Sequence, residues 1–268
     1  LAGSFHGHVG KLESGSLSQG SRLRAAVDES RRHAIVLHHS ATHLMHAALR
    51  EVLGEHVQQK GSLVDPERLR FDFSASGPVP PSVLGDVQDR VNALVEADLG
   101  VHAEVMTLDQ ARRTGAMALF GEKYGDKVRV LNFGDFSIEL CGGTHVDRTG
   151  DIGVFRITHE TGIASGVRRI EAVTGEHALQ WVAANEARMQ RVAELVKAGR
   201  DEIEDKLVQL LARNRKLEKE LEQLKAKLAS AAGSDLAAKA VSVGEVKVLA
   251  ANPSQGRYRA PTAKRWPC

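Results

Sequence analysis

The feature that most restricts the fold of this chain is an apolar heptad repeat near its C-terminal end. Steps of four and three residues alternate through the repeat, and one position is polar. The seam consists of Ile203, Leu207, Leu210, Asn214, Leu217, Leu221, Leu224 and Leu228. Side chains that recur about every 3.5 residues form one stripe of a helix, as in a coiled coil. The repeat predicts a long helix that forms a hairpin, a dimer zipper through residues 200–229, or an amphipathic helix packed on its own domain.

Upstream of the repeat, helical patterns precede a group of strand patterns. Apolar residues recur at helical spacing over residues 39–53, 82–99 and 108–119. Strand patterns follow at residues 128–131, 136–140, 152–158 and 167–173, with turns expected at Gly125-Asp126, Gly134-Asp135 and Thr161-Gly162. Helices followed by clustered strands predict an α+β fold with a mostly antiparallel sheet and packed helices.

The two ends of the sequence differ from this central part. Residues 1–30 are punctuated by glycines and contain short β patterns, His8-Val9 and Leu23 to Val27 among them, which are too few for a separate core. Residues 231–268 are expected to be a truncated or disordered tail, because the prolines and unpaired basic residues after Asn252 do not suit a packed core. The chain begins at Leu1 rather than Met, so we expect a preceding segment.

Composition excludes several classes of protein. The chain has 268 residues, a formal net charge of +2 and 42% apolar residues, which is typical of one or two globular domains. No apolar run approaches the roughly 20 residues that span a bilayer, and no signal peptide is recognisable, so neither membrane residence nor secretion is expected. The only two cysteines, Cys141 and Cys268, favour a reducing compartment, and we expect a cytoplasmic protein.

Four residues in two distant segments have the spacing of a metal site. His39 and His43 are four residues apart on a predicted helix and therefore project from one face. Cys141 and His145 are also four apart, and the intervening Gly142-Gly143-Thr144 favours a loop that can fold around an ion. Three imidazoles and one thiolate are ligands that suit tetrahedral zinc. The sequence thus predicts that the helix and the loop converge on one zinc ion.

Each half of this pattern alone has an ordinary explanation. A histidine pair at helical spacing is often surface decoration, and a Cys-Gly-Gly-Thr-His segment is weak evidence by itself. His46 lies on the same helical stripe and is either a residue behind the ligands or a helix-surface histidine. His38 should point elsewhere, because neighbouring helical residues do not share a face.

Six short motifs, in this order along residues 1 to 175, resemble one known family. They are His39-Ser40-Ala41-Thr42-His43-Leu44, Gln59-Lys60-Gly61-Ser62, Arg70-Phe71-Asp72-Phe73-Ser74, residues 118–125 (ALFGEKYG), residues 139–145 (ELCGGTH) and residues 166–171 (GVRRIE). The set resembles the editing domain, or second additional domain, of alanyl-tRNA synthetase. The histidine and cysteine motifs alone would also admit the related domain of threonyl-tRNA synthetase.

The resemblance implies an editing-domain fold of the threonyl/alanyl-tRNA synthetase type and a division into segments. Residues 1–30 would be the end of a small β-barrel, residues 31–175 a zinc-binding editing domain, and residues 176–230 a helical or coiled-coil region. The implied activity is hydrolysis of Ser- or Gly-tRNA(Ala) within an alanine–tRNA ligase. ATP and Mg²⁺ would belong to an aminoacylation core that no segment here resembles.

Roles for individual residues follow from the same resemblance. His39, His43, Cys141 and His145 would bind one Zn²⁺, and Thr42, Gln59 and Cys141 would form the catalytic pocket. Arg168 and Arg169 alternate along a strand, so one would reach the acceptor end of tRNA(Ala) and the other would pair with Glu171 or another acidic neighbour. Because four protein ligands describe a closed zinc site, we favour an ion that anchors substrate beside an activated water.

Two other interpretations stay open at this level. The chain could be a freestanding trans-editing aminoacyl-tRNA hydrolase, with the same chemistry. It could also be a non-catalytic tRNA-binding and dimerisation module with a structural zinc, which the heptad seam and the four-ligand count favour.

Overall fold

One long helix organises the first part of the molecule. The computed structural model describes residues 7–117, 125–134, 136–238, 241–244 and 246–248, and in it helix α1 spans Glu29–Leu53. The Asp28 carboxylate caps α1 by accepting a hydrogen bond from the backbone N–H of Arg31 at 3.0 Å. This cap, with an acidic residue in the first turn, explains why α1 begins well before the predicted residue 39. The helix ends at Gly54, whose φ of 112° disfavours a residue with a Cβ.

The chain divides into two compact units, Leu1–Asn185 and Glu186–Cys268. In the first unit α1 is followed by β1 Gln59–Val64, β2 Leu69–Ser74, α2 Pro81–Glu96, β3 Val101–Thr107, α3 Leu108–Arg113, β4 Lys127–Phe133, β5 Ser137–Leu140, β6 Phe155–Ala164, β7 Val167–Thr174 and α4 Gly175–Val196, which continues into the second unit. Short 3₁₀ turns lie at Thr149–Ile152 and Arg200–Glu202. Strands β1 to β7 pair with antiparallel neighbours.

A four-stranded sheet with the order β1-β2-β7-β6 packs against α1 and α2 around the main core. Strand β2 shows how the sequence makes this interface. Leu69, Phe71 and Phe73 are fully buried, while the residues between them are half-buried. Alternation of this kind places one face of a strand on the core. The packing fixes α1 with its central residues buried.

A second, three-stranded sheet with the order β3-β4-β5 packs against α3 around a smaller core. In β4 the buried residues Val128 and Val130 alternate with the half-buried Arg129. Strand β5 is short, and three of its four residues are buried. It ends immediately before Cys141, so this sheet presents the Cys-Gly-Gly-Thr-His loop.

The second unit is dominated by the predicted long helix, α5, which spans Ile203–Ala238. A two-stranded hairpin of β8 Val241–Val243 and β9 Val246–Val248 follows it. The leucines of the heptad seam are exposed, from 39% at Leu207 to 67% at Leu228, and only Ile203 is buried. Lys197, with a φ of 54°, lies just after the end of α4, so the helical segment that begins at Gly175 is divided into α4 and α5.

The structure confirms an α+β fold with antiparallel sheets and packed helices, but it corrects several local predictions. Residues 7–28 contain no strand, although β patterns were expected at His8-Val9 and Leu23 to Val27. These segments are exposed and have no neighbouring strand to pair with, and an isolated strand is not stable in water. The predicted turn at Thr161-Gly162 is wrong, because β6 continues to Ala164 and the turn contains Gly166 at a φ of 70°.

Other predictions fall partly or wholly outside the description. The predicted helix 108–119 ends at Arg113, and its last two residues lie outside the described ones. So do all residues but the last of the motif at residues 118–125, and the tail after residue 248. The segment boundaries that the resemblance implied remain predictions. Within the described part of the chain, no helix combines the length and the apolarity needed to cross a bilayer.

Candidate metal centre

Two histidines of α1 form one side of the candidate centre. His39 and His43 are one helical turn apart, and the centroids of their rings are 5.1 Å apart. His43 is buried and His39 is half-buried, because this face of α1 packs towards β5 and the loop that follows it. The helical spacing that the sequence showed thus places both imidazoles on one face.

The loop after β5 forms the other side and is held at several points. The Arg129 guanidinium donates hydrogen bonds to the carbonyl of Cys141 at 3.2 Å and to that of Gly143 at 2.6 Å. The backbone N–H of Val146 donates to the hydroxyl of Ser40 at 3.0 Å, which connects the loop directly to α1. These contacts hold the loop in place through its backbone and leave the side chains of Cys141 and His145 uninvolved.

The structure brings the four expected side chains together. The Nε2 atoms of His43 and His145 are 3.2 Å apart, and the Sγ of Cys141 lies 3.5 Å from Nε2 of His39. One possible ligand atom from each of the four lies within 4.8 Å of the others. Such a group of three imidazoles and one thiol could hold a metal ion.

The two glycines of the loop have different roles from those expected. Neither has a positive φ, so unusual backbone freedom is not their contribution. A Cβ at Gly143 would lie 2.2 Å from Cε1 of His39, whereas a Cβ at Gly142 would meet no atom within 4 Å. Gly143 therefore permits a close approach of the loop to α1, and Gly142 stands in open space.

Electrostatics favour the ligand form of the cysteine. Burial raises the pKa of Cys141, but hydrogen bonds with His145, His39 and His43 outweigh burial and lower that pKa to about 3. Burial lowers the pKa of His43, but the charges and hydrogen bonds of Glu139 and Cys141 together outweigh burial and raise that pKa to about 10. Cys141 is therefore held as a thiolate, which is the form that binds metals, and a cation bound here would take the place of the Nε2 proton of His43.

The two other pocket candidates lie in different surroundings. Thr42 is buried, and its hydroxyl donates to the carbonyl of His38, one turn earlier in α1, at 2.8 Å. Threonine hydroxyls within helices commonly bond the carbonyl four residues earlier, and this bond occupies the hydroxyl proton of Thr42. Gln59 is the half-buried first residue of β1 and pairs with Phe73 of β2.

Arg168 and Arg169 both pair with carboxylates. Arg168 binds both carboxylate oxygens of Glu160 on β6, at 2.5 and 2.7 Å. Arg169 binds both oxygens of Asp72 on β2, at 2.6 and 2.8 Å. The expected partner Glu171 instead contacts Arg68, at 3.3 Å.

Sequence reasoning did not single out three side chains that support the centre, namely Ser40, Arg129 and Glu139. The carboxylate of Glu139 lies 2.6 Å from Nδ1 of His43. A charged residue in a strand, two positions before a candidate ligand, was the available signal.

His46 is buried against the ring of Phe71, and neither of its ring nitrogens has a hydrogen-bond partner.

The fold and the site together define a class of domain. Residues 128–171, which run from β4 through the Cys-Gly-Gly-Thr-His loop to β7, match the family described as the threonyl and alanyl tRNA synthetase second additional domain. The histidines of α1 lie outside the matched segment, yet the structure places them against its loop.

The similarity to complete proteins points to the alanyl member of this class. The chain is 61% identical, over 91% of its length, to the alanine–tRNA ligase of Methylococcus capsulatus. It is 57% identical, over 93% of its length, to the alanine–tRNA ligase of Xanthomonas euvesicatoria. In both cases the chain spans 28% of the length of the relative. The chain is therefore similar to a segment of alanine–tRNA ligases, and residues 128–171 match the second additional domain, in agreement with the resemblance of the motifs.

Proposed function

We propose that this chain is an editing module that hydrolyses Ser- or Gly-tRNA(Ala) as part of an alanine–tRNA ligase. The observation that carries the proposal is the convergence of His39, His43, Cys141 and His145 from a helix and a distant loop. The relatives named above are ligases, so an activity on tRNA is consistent with their names. Aminoacylation, with its ATP and Mg²⁺, would belong to other parts of such a ligase.

Zinc is the ion that the donor set fits best. Tetrahedral zinc has bonds of about 2.0–2.1 Å to nitrogen and about 2.3 Å to sulfur, so two nitrogens lie about 3.3 Å apart and a nitrogen and a sulfur about 3.5 Å apart. The observed distances are 3.2 Å between the Nε2 atoms of His43 and His145, and 3.5 Å between Cys141 Sγ and His39 Nε2. These pairs need almost no movement to accept zinc.

The chemistry that zinc supplies when bound is polarisation of a carbonyl or activation of a water molecule. The protein would hold the ion with three imidazoles and one thiolate, which together carry a single negative charge. Arg129 and Ser40 keep the ligand loop against α1. Because His39, His43, Cys141 and His145 could together satisfy a zinc ion, the ion would either anchor the substrate amine or polarise the substrate only if one ligand, such as His145, were weakly bound.

Selection against alanine would come from hydrogen bonding to the serine hydroxyl. A site with buried polar groups rejects an analogue that lacks the hydroxyl, because those groups would be left unpaired. The proton of the Thr42 hydroxyl is engaged with His38, so Thr42 can offer the substrate only its oxygen lone pairs. The serine hydroxyl would then be the donor, and Gln59 is the second candidate partner.

The acceptor end of tRNA would contact Arg168 or Arg169. Each guanidinium is already bound by a carboxylate, from Glu160 or Asp72, in a two-point arrangement. The carboxylate accepts from only two of the five N–H donors of each guanidinium, so a phosphate oxygen would bind the other donors while the carboxylate orients the arginine. This role would make tRNA binding sensitive to replacement of the arginine.

A second candidate function rests on a different observation. The leucines of the α5 seam are exposed, and four ligands complete a structural zinc site. A non-catalytic tRNA-binding module that dimerises through residues 200–229 would use both features. Sedimentation of the purified chain over a range of concentrations would detect this dimer, and a Leu221→Lys variant should then remain monomeric.

The deciding experiment measures zinc content and deacylation on the same preparation. We expect about one zinc per chain, turnover of Ser-tRNA(Ala), and no hydrolysis of Ala-tRNA(Ala). Cys141→Ala should lose both zinc and turnover. Stoichiometric zinc without turnover would support the structural module, and turnover by a metal-free Cys141→Ala variant would refute the role of zinc.

A further inference from the structure

A buried carboxylate lies directly behind one of the candidate ligands. Glu139 of β5 is 1% exposed, and the ring of His43, which it contacts, is 6% exposed. One oxygen of Glu139 is 2.6 Å from Nδ1 of His43, and the other accepts a hydrogen bond from the hydroxyl of Ser137 at 2.8 Å. Buried carboxylates are rare unless their oxygens are paired, and here both oxygens are paired.

The contact determines which nitrogen of His43 is free. A carboxylate only accepts hydrogen bonds, so Nδ1 must carry the proton that is donated to Glu139. The lone pair of the neutral ring then lies on Nε2, which is the atom 3.2 Å from Nε2 of His145 and therefore faces the centre. Ser137 prevents the carboxylate from rotating away, because it binds the second oxygen.

The charge of Glu139 also suits the centre. A divalent ion held by three neutral imidazoles and one thiolate leaves one net positive charge in a largely buried site. Glu139 supplies one negative charge next to this group, so the assembly of ion, ligands and carboxylate is neutral. Glu139 interacts electrostatically with two buried histidines, His43 and His46.

We propose that Glu139 is a positioning residue of the metal centre, which orients His43 through Nδ1 and neutralises the bound divalent ion. The inference deepens the proposed function and rests on its metal site. Partners of this kind behind metal-binding histidines are worth about 10–100-fold in metal affinity. Glu139 is not one of the four candidate ligands, so it would act through His43 and through its charge.

Three variants separate orientation, charge and general packing. Glu139→Gln keeps an acceptor for Nδ1 and removes the charge, while Ser137→Ala keeps the charge and frees the carboxylate. Ile170→Val is the matched control, because Ile170 is fully buried in the other sheet and contributes only to packing. For each purified chain, zinc affinity is measured by competition with a chromophoric chelator, thermal unfolding is recorded, and the tautomer of His43 is read by ¹⁵N NMR of labelled histidine.

We expect Glu139→Gln to weaken zinc binding by about 10–100-fold. Ser137→Ala should weaken zinc binding by a smaller factor, and Ile170→Val should bind zinc as tightly as the wild type. Zinc-loaded wild type should show His43 protonated at Nδ1. Unchanged zinc affinity in Glu139→Gln, or a His43 proton on Nε2, would overturn the inference while leaving the proposed metal site intact. A wild-type chain that binds no zinc would overturn both. If Glu139→Gln does not fold, the tautomer of the wild type and the affinity of Ser137→Ala still decide the question.

Discussion

A single methyl group added at Gly143 should destroy the metal centre, whereas the same change at Gly142 should be tolerated. The Cβ of an alanine at position 143 would lie 2.2 Å from Cε1 and 2.7 Å from Nδ1 of His39. Optimal carbon contacts are about 3.5–4.0 Å, so the ring and the loop must separate by more than about 1 Å. Metal–ligand distances tolerate only about 0.2 Å, and the displacement is several times larger.

The loop cannot absorb this displacement easily. The carbonyl of Gly143 accepts a hydrogen bond from Arg129 at 2.6 Å, and Val146 is bound to Ser40. The ring of His39 is therefore the part that moves, and the centre loses this ligand. We expect Gly143→Ala to weaken zinc binding by about 100-fold or more, because loss of a ligand should exceed the loss of a supporting partner.

The assay is zinc retained after dialysis against a chelator, with affinity measured by competition and with deacylation of Ser-tRNA(Ala) on the same samples. Gly142→Ala is the matched control, since its Cβ would meet no atom within 4 Å. Its effect on stability should stay within about 0.5 kcal/mol. Equal zinc affinity in Gly143→Ala and Gly142→Ala would refute the close-approach argument.

Three further predictions concern packing, pH and selectivity. Phe71→Ala should lower the free energy of unfolding by about 3–5 kcal/mol in urea titrations, because the side chain of Phe71 is fully buried in the main core; a loss below about 1 kcal/mol would contradict this packing. In chelator-treated protein, folding lowers the pKa of Cys141 from 9.0 to about 3, so Cys141 makes the folded state more stable as the pH rises towards 9.0. Folding raises the pKa of His43 from 6.5 to about 10, so the contribution of His43 to stability decreases as the pH rises above 6.5. The free energy of unfolding should therefore rise up to pH 6.5 and stay level until about pH 9, whereas in Cys141→Ala it should decline above pH 6.5. Thr42→Val should retain zinc but hydrolyse Ser-tRNA(Ala) at least about tenfold more slowly, with Thr42→Ser near wild type; equal rates in both would exclude Thr42 from the pocket.

The partners of the support residues could not be read from the sequence. His43 and Glu139 are 96 residues apart, and Arg169 and Asp72 are 97 apart. The position of Glu139 two residues before Cys141 marks it as unusual but does not reveal His43 as its partner, and no local pattern indicates that Arg169 pairs with Asp72 rather than Glu171. Such pairings depend on which strands become neighbours, and β2 is not adjacent to β7 in the chain.

The strands show the same limit. Strands β1, β2 and β3 were not predicted, although β2 alternates clearly once its partners are known. Strand β3 has mostly exposed residues and no apolar face that would mark it, so its conformation depends on pairing with β4. The β patterns before residue 29, by contrast, form no strand in the described residues, because they have no such partner.

The sequence by itself determined the properties that depend on the spacing of residues along a few turns of chain. These are the long helix α5, the α+β class, and the pairing of His39 with His43 and of Cys141 with His145 on single local elements. Only the tertiary structure decided that the two pairs meet, that Gly143 rather than Gly142 must lack a side chain, and that Glu139 lies behind His43. Periodicity is a property of each segment alone, whereas contact between segments is set by the packing of both sheets against α1.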